Sequence, residues 1–381
     1  MTGKRQHYIP QFLQRGFNSR GHDETPRAWL YRRGDAAPSE DTLRNISVED
    51  WFYRYRNARV DISADESITR AERHRLAPLV RRLRTSKDGA ISEDDRAGLA
   101  ELFVHIHART KAVWEIARSQ APPMFERLRR FARDQTAIRD TLPRLMEAHR
   151  DTVIRLLAPR YPDHDIGKLM YEWMALIETV PPDDLRLAVD GMLGGLLMLA
   201  MDALQANKVQ VMRELSERPE VARRFQDCTF SVKRWGGARL VQGDTPVVFH
   251  KASGFIPVLA KDEPFEYAFL PITPTRVVVA STSGGMPESW EVLRDASIAC
   301  SYRHFIAATP YPELEALSAT LGTGFPVVTG ADIERLFAEA VELACTPSWM
   351  GPAEVVAVER LVMEYLGRPQ GGSVTSSGGE E

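Results

Sequence analysis

Four groups of residues could do chemistry. The first is His7-Tyr8-Ile9-Pro10-Gln11-Phe12-Leu13, followed by Arg15 and Phe17. Histidine changes charge near neutral pH, so His7 could act as a general base or a metal ligand. It could equally be a structural histidine bonded to a backbone carbonyl, and a lone histidine has no motif to decide the matter. The second is Gly243-Asp244-Thr245-Pro246, after a strand-like run at 238–242. A carboxylate in a proline-fixed turn at a strand end is well placed to meet a ligand. The same pattern suits an Asx turn in which Asp244 bonds its own backbone.

The third group is Glu101, His105, His107 and Arg109. On a helix His105 and His107 point roughly 200° apart and cannot share a metal. Glu101, His105 and Arg109 share one face; they could line a site or form a solvated stripe opposite an apolar face, and the stripe is the expected arrangement. The fourth, Tyr302-Arg303-His304, is expected in a loop. Walker A, GxGxxG, HExxH and GxSxG motifs are absent, as is zinc-ligand spacing, and no cofactor is indicated.

The elements that must carry these residues follow from periodicity. A strand is predicted at Ala28–Tyr31 and a helix from Asp65 to Arg84, broken by Lys87-Asp88-Gly89. Ser92 with Asp95 resembles a capping box for a helix carrying Leu99, Leu102, Phe103, Ile106 and Val113, ended by Pro122-Pro123. Helices are predicted at 124–157, interrupted near Thr141-Leu142-Pro143, at 166–179 and from Asp183 or Asp184 towards Glu217. The ten-residue apolar run Met192–Met201 is too short to span a bilayer, which takes about twenty residues, and reads as a buried helix.

From Asp227 the pattern becomes strand-like. Cys228–Trp235 and Ala238–Gln242 flank Gly236-Gly237 as a hairpin, followed by strands at 247–249, 256–259, 267–270 and 277–280. A helix at 290–301, a strand at 304–308 and helices at 333–345 and 355–366 complete the chain. A Gly/Ser-rich tail at 368–381 is expected to be disordered. The organisation expected is a docking segment at 1–64, a helical region at 65–226, a β-rich region at 227–310, C-terminal helices at 311–367 and the tail.

At 381 residues, with 44% hydrophobic and 27% charged residues, the chain can bury a core, and whole-chain disorder is excluded. Cys228, Cys300 and Cys345 are scattered and form no CxxC pair. No disulfide partner is expected, and a reducing cytoplasm is. No secretory signal is read at the start. The net charge is -3, but residues 1–261 carry 43 Lys+Arg against 35 Asp+Glu while 262–381 carry 6 against 17. The overall balance does not favour nucleic acid as a partner, and interleaved acids work against a uniform basic face.

The opening HYIPQFLQRGF resembles the N-terminal signature of the bacterial domain-of-unknown-function family 4238. Its members begin with His-Tyr-(Val/Ile)-Pro, then carry a strand ending in Ser-Asp-x-Pro and a later Pro-(Leu/Ile)-(Thr/Ser)-Pro segment. Gly243-Asp244-Thr245-Pro246 and Leu270-Pro271-Ile272-Thr273-Pro274 stand in those places, over roughly residues 4–310. Gly243 departs from the family's serine. If that serine were catalytic, this chain would be inactive; if it only capped the turn, little changes. The resemblance implies a bacterial origin and a grouping, without a mechanism.

The expected fold is α+β, with a helical middle region packed on a mostly antiparallel sheet. The His7–Pro10 and Asp244–Pro246 motifs are expected to lie close in space. Two functions fit. One is a hydrolase acting on a phosphate-bearing substrate or nucleic acid, with His7 and Asp244 catalytic and Arg15, Arg109 and Tyr8 binding substrate. The other is a non-catalytic binding or regulatory module, whose acidic C-terminal helices meet a partner.

Overall fold

The computed structural model describes residues 4–148 except 21–24, 57–60 and 87–88, scattered positions between 150 and 175, and residues 205–345 except 218–222, 260–262, 286, 288 and 326–328. The expected helices at 166–179 and 355–366, the Met192–Met201 run and the Gly/Ser tail lie wholly or largely outside them. The chain divides into two compact units, residues 1–118 with 202–327, and residues 119–201 with 328–381.

The architecture is α+β, and every strand pairing among the described residues is antiparallel. In the larger unit, β1 (Arg5–His7) precedes a single-turn helix α1 (Gln11–Gln14). Then come β2 (Arg27–Arg32), β3 (Ser39–Thr42), β4 (Val48–Asp50), β5 (Arg54–Arg56) and β6 (Asp61–Ser63). Helices α2 (Asp65–Ala71) and α3 (Ala77–Thr85) are joined without a break by a π turn at Glu72–Leu76. Pro78 has no N–H to return to the His74 carbonyl, consistent with the widened turn before it. A short strand β7 (Gly89–Ala90) follows, then α4 (Glu93–Arg109) and the start of α5 (Lys111–Arg133), whose residues from Ser119 on belong to the smaller unit.

The later strands are β8 (Thr229–Arg234), β9 (Gln242–Gly243), β10 (Val248–Lys251), β11 (Gly254–Ile256), β12 (Tyr267–Thr273), β13 (Arg276–Ser281) and β14 (His304–Ala307). Six form one sheet in the order β11-β10-β12-β13-β8-β7, four form another in the order β3-β2-β14-β9, and β1-β4 and β5-β6 are separate ribbons. β12 and β13 are buried almost throughout, and their unbroken apolar runs suit a central position covered on both faces. Leu79, Leu83, Leu99, Leu102, Phe103 and Ile106 of α3 and α4 join Phe225, Phe249, Ala268 and Leu270 in the main core.

Three local expectations are corrected. Thr229–Arg234 and Gln242–Gly243 are not a hairpin: β8 pairs with β13, β9 pairs with β14, and the glycine turn carries the chain between sheets. Pro122-Pro123 does not end a helix; α5 runs through both prolines. They remove two N–H donors, while the break falls at Thr110, whose hydroxyl bonds the Ile106 carbonyl. Ser92 caps α4 without a side-chain bond: the Asp95 N–H donates to the Ser92 carbonyl at 3.1 Å, and the Asp95 carboxylate pairs with Arg82 at 2.5 Å rather than reaching back to the cap.

In the smaller unit, the guanidinium of Arg127 lies over the Phe337 ring at 4.5 Å and pairs with Glu334. Phe131 packs on the same ring, and Arg144 pairs with Glu342 at 2.6 Å. Two acids of the helix Gly330–Ala344, Glu334 and Glu342, thus meet basic residues of α5 and of the helix Gln135–Ala148.

Candidate functional site

The Gly243-Asp244-Thr245-Pro246 turn leaves β9 and enters β10, so Asp244 sits where the chain passes from one sheet to the other. Its buried carboxylate accepts from the backbone N–H groups of Tyr302 (2.6 Å), Arg303 (2.7 Å) and His304 (3.3 Å). Asp244 returns its own N–H to the His304 carbonyl at 3.0 Å. The expected Asx turn, with Asp244 bonding its own backbone, is not formed: the carboxylate serves the Tyr302-Arg303-His304 segment across the sheet. That segment closes the turn before β14.

His304 joins Asp244 to the opening motif. Its Nδ1 is 3.6 Å from Asp244 Oδ2, and its Nε2 is 3.0 Å from Ser47 Oγ. Burial lowers the imidazole's pKa and the Asp244 charge raises it, with the lowering dominant. Tyr8 donates its backbone N–H to the Ser47 carbonyl, and its ring stands edge-on to His304 at 6.5 Å between centroids. Ser47 has φ +55°, the left-handed region that serine rarely adopts. The HYIP and GDTP motifs therefore meet through Ser47 and His304. Ser47 had no sequence signal: it lies in an unremarkable stretch, Arg44-Asn45-Ile46-Ser47-Val48.

His7 faces the other way along this ribbon. Its Nδ1 lies 3.1 Å from the Ile46 carbonyl and its Nε2 2.8 Å from Gln11 Nε2. With Gln11 donating to Nε2, the Nδ1–H is the donor to Ile46 and the ring is neutral. Burial pushes its pKa down to about 4, opposed by the bond to Ile46. His7 borders two open cavities. One, of about 610 Å³, is lined by Lys4, Arg5, Arg15 and Arg44 with Gln11, and by no described carboxylate. The other, of about 310 Å³, is bounded by Tyr53, Asp65, Glu72 and Arg109. Asp244 borders neither.

The polar stripe of α4 is a correction. Glu101, His105 and Arg109 are all buried, not solvated. The π turn supplies their partners: Arg75 bonds Glu101 at 2.7 Å, and Glu72 pairs with Arg109. Arg109 also bonds the His7 carbonyl at 2.6 Å, Tyr53 Oη at 2.5 Å and His105 Nε2 at 3.0 Å. It clamps the opening motif from behind. Arg84 holds the same motif to the third one, donating to the Phe12 and Leu13 carbonyls and to Ile272 of β12. Gly16 fits against this seam because a Cβ there would stand 1.9 Å from the Ile272 carbonyl oxygen.

Gly243 is explained by Ser301. A Cβ on residue 243 would lie 2.1 Å from Ser301 Oγ, which donates to the Ser297 carbonyl at 2.6 Å. The hydroxyl at 301 occupies the space a serine at 243 would need. Among the described residues no group of three or more His, Cys, Asp or Glu could hold a metal ion. No described helix is long and apolar enough to cross a membrane.

The family model described as "Protein of unknown function (DUF4238)" matches residues 5–289, a span that takes in all three motifs. No curated protein and no solved structure matches the chain.

Proposed function

The chain belongs to the DUF4238 family, whose description assigns no activity, and from that premise we propose that it binds a phosphate-bearing ligand in the cation-lined cavity beside His7. The observation carrying this reading is the lining: Lys4, Arg5, Arg15 and Arg44 converge without a described carboxylate among them. Arg5 bonds the neutral Asn45, and neither Arg15 nor Arg44 meets a carboxylate among the described residues. Lys4 alone is offset, by Asp50 at 3.0 Å. Arginine forks suit phosphate oxygens, and Gln11 adds a neutral polar group. The binding-module reading thus gains on hydrolysis by a His7–Asp244 pair. Asp244 spends its oxygens on three backbone donors, and both ring nitrogens of His7 are occupied. Arg15 is the substrate contact this reading keeps, while Arg109 and Tyr8 support the wall behind it. Three free thiols suit a bacterial cytoplasmic setting.

The test is fluorescence anisotropy with a labelled single-stranded oligonucleotide at low salt, with pyrophosphate as competitor. Binding should appear, and Arg15→Ala/Arg44→Ala should weaken it at least tenfold, about 1.4 kcal/mol. If neither the oligonucleotide nor millimolar pyrophosphate binds, or the double variant binds like wild type, the reading is lost.

A further inference from the structure

We propose that Ser47, His304 and Asp244 form a nucleophilic relay that is acylated by small activated carboxylic esters, an activity separate from anion binding in the cavity beside His7. Three observations converge. The Ser47 hydroxyl is 3.0 Å from His304 Nε2, within reach for direct proton transfer. His304 Nδ1 is 3.6 Å from Asp244 Oδ2, longer than a hydrogen bond, and such contacts commonly tighten when substrate binds. Ser47 is held at φ +55°, and residues kept in sparsely populated backbone regions cluster at active sites.

The roles follow from the geometry. Asp244 is a positioning residue. Its carboxylate is held in place by the three N–H donors of residues 302–304, and it favours the tautomer with the proton on Nδ1. Nε2 is then an acceptor, and burial keeps the ring neutral at pH 7, as a base must be. Ser47 Oγ attacks the ester carbonyl carbon as its proton passes to His304 Nε2. The bond to the leaving alcohol breaks, and the alcohol takes that proton. The acyl-serine is cleared by water, which gives a proton to His304 and its oxygen to the carboxylic acid, and the proton returns to Ser47.

The substrate class is set by charge and space. The fixed charge in the relay is the Asp244 carboxylate, which repels a phosphate dianion but not a neutral carbonyl. The nearby cations are already offset, Lys111 by Glu49 and Arg303 by Glu115 at 3.9 Å. Ser47 is 5% exposed and His304 8%, so a bulky acyl group is excluded and the proposal is confined to the smallest esters.

The experiment incubates the full chain with p-nitrophenyl acetate, follows nitrophenolate release and maps the acetyl group by peptide mass spectrometry. An acetyl adduct on Ser47 is expected, with p-nitrophenyl octanoate at least tenfold slower. Ser47→Ala should lose the adduct while remaining folded by circular dichroism, with a somewhat lower melting temperature. Asp244→Asn should slow acetylation at least a hundredfold and move its pH dependence to lower pH, which a merely structural role would not do. No acetyl group on Ser47 of the wild-type chain, or acetylation confined to other residues, overturns the proposal even if a variant does not fold.

Discussion

His7, His105 and His304 all titrate below their ordinary range, and in each case burial is the largest cause. A histidine whose folded pKa is depressed binds fewer protons in the native state than in the unfolded chain at mildly acid pH. The unfolded chain is then favoured as protons are added, so stability falls as pH falls. For His7 the loss begins near the unfolded value of 6.5 and is complete near 4. Urea midpoints should therefore decline steadily from pH 7 to pH 4.5. His7→Gln, which keeps a donor toward Ile46, should flatten part of that slope. A midpoint unchanged across this window would show that these rings are not buried as described. A second residue-scale test concerns Gly243. Gly243→Ser should destabilise by about 2 kcal/mol, because the new Cβ meets the Ser301 hydroxyl. Ser301→Ala should restore much of that loss in the double variant, and a chemical-denaturation double-mutant cycle reads the coupling directly. Additive effects would mean that the two side chains do not compete for this space.

At the scale of elements, buried arginines hold the opening motif in place. Arg84 reaches from α3 to three carbonyls on two other segments, and burial brings its pKa down to about 10. Arg84→Leu would leave those carbonyls without their donor and should cost about 3 kcal/mol, measured by thermal or urea unfolding. Arg84→Lys should recover only part, since an ammonium cannot fork toward Phe12 and Ile272 together. These clamps also explain what the sequence made legible. Apolar runs located β12, β13 and β14 and the apolar face of α4, because burial dictates those residue types directly. The stripe Glu101, His105 and Arg109 was visible as a shared face. Its burial was not, because that depends on Glu72 and Arg75 arriving from a π turn distant in sequence. The hairpin expected around Gly236-Gly237 failed for a similar reason: local turn chemistry was right, but partner choice was made by β13 and β14. Asp244 and Tyr302-Arg303-His304 were each singled out, yet their contact across about sixty residues was not. Ser47 was missed because a lone serine outside any motif carries no pattern.

Over the whole molecule, charge is divided in sequence, with an excess of base before residue 262 and of acid after it. Much of the basic excess is cancelled locally: Arg82 by Asp95, Arg75 by Glu101, Arg109 by Glu72, Arg127 by Glu334. At the cavity of Lys4, Arg5, Arg15 and Arg44, one of the four cations has a described carboxylate partner, Lys4 with Asp50. Net charge is therefore a poor guide to affinity here, since a polyanion would meet the local field of four cations rather than the overall charge of -3. Each phosphate neutralised by one of these side chains releases condensed counterions. Four contacts on a single strand correspond to a slope of about -3 in log K against log salt, roughly a fifty-fold loss between 50 and 200 mM. Arg15→Ala should make that slope shallower by about 0.7 as well as weakening binding. Anisotropy titrations at four or more salt concentrations measure both quantities. A slope near zero would mean that any affinity is not carried by these cations, and an unchanged slope in Arg15→Ala would place the contact elsewhere on the chain.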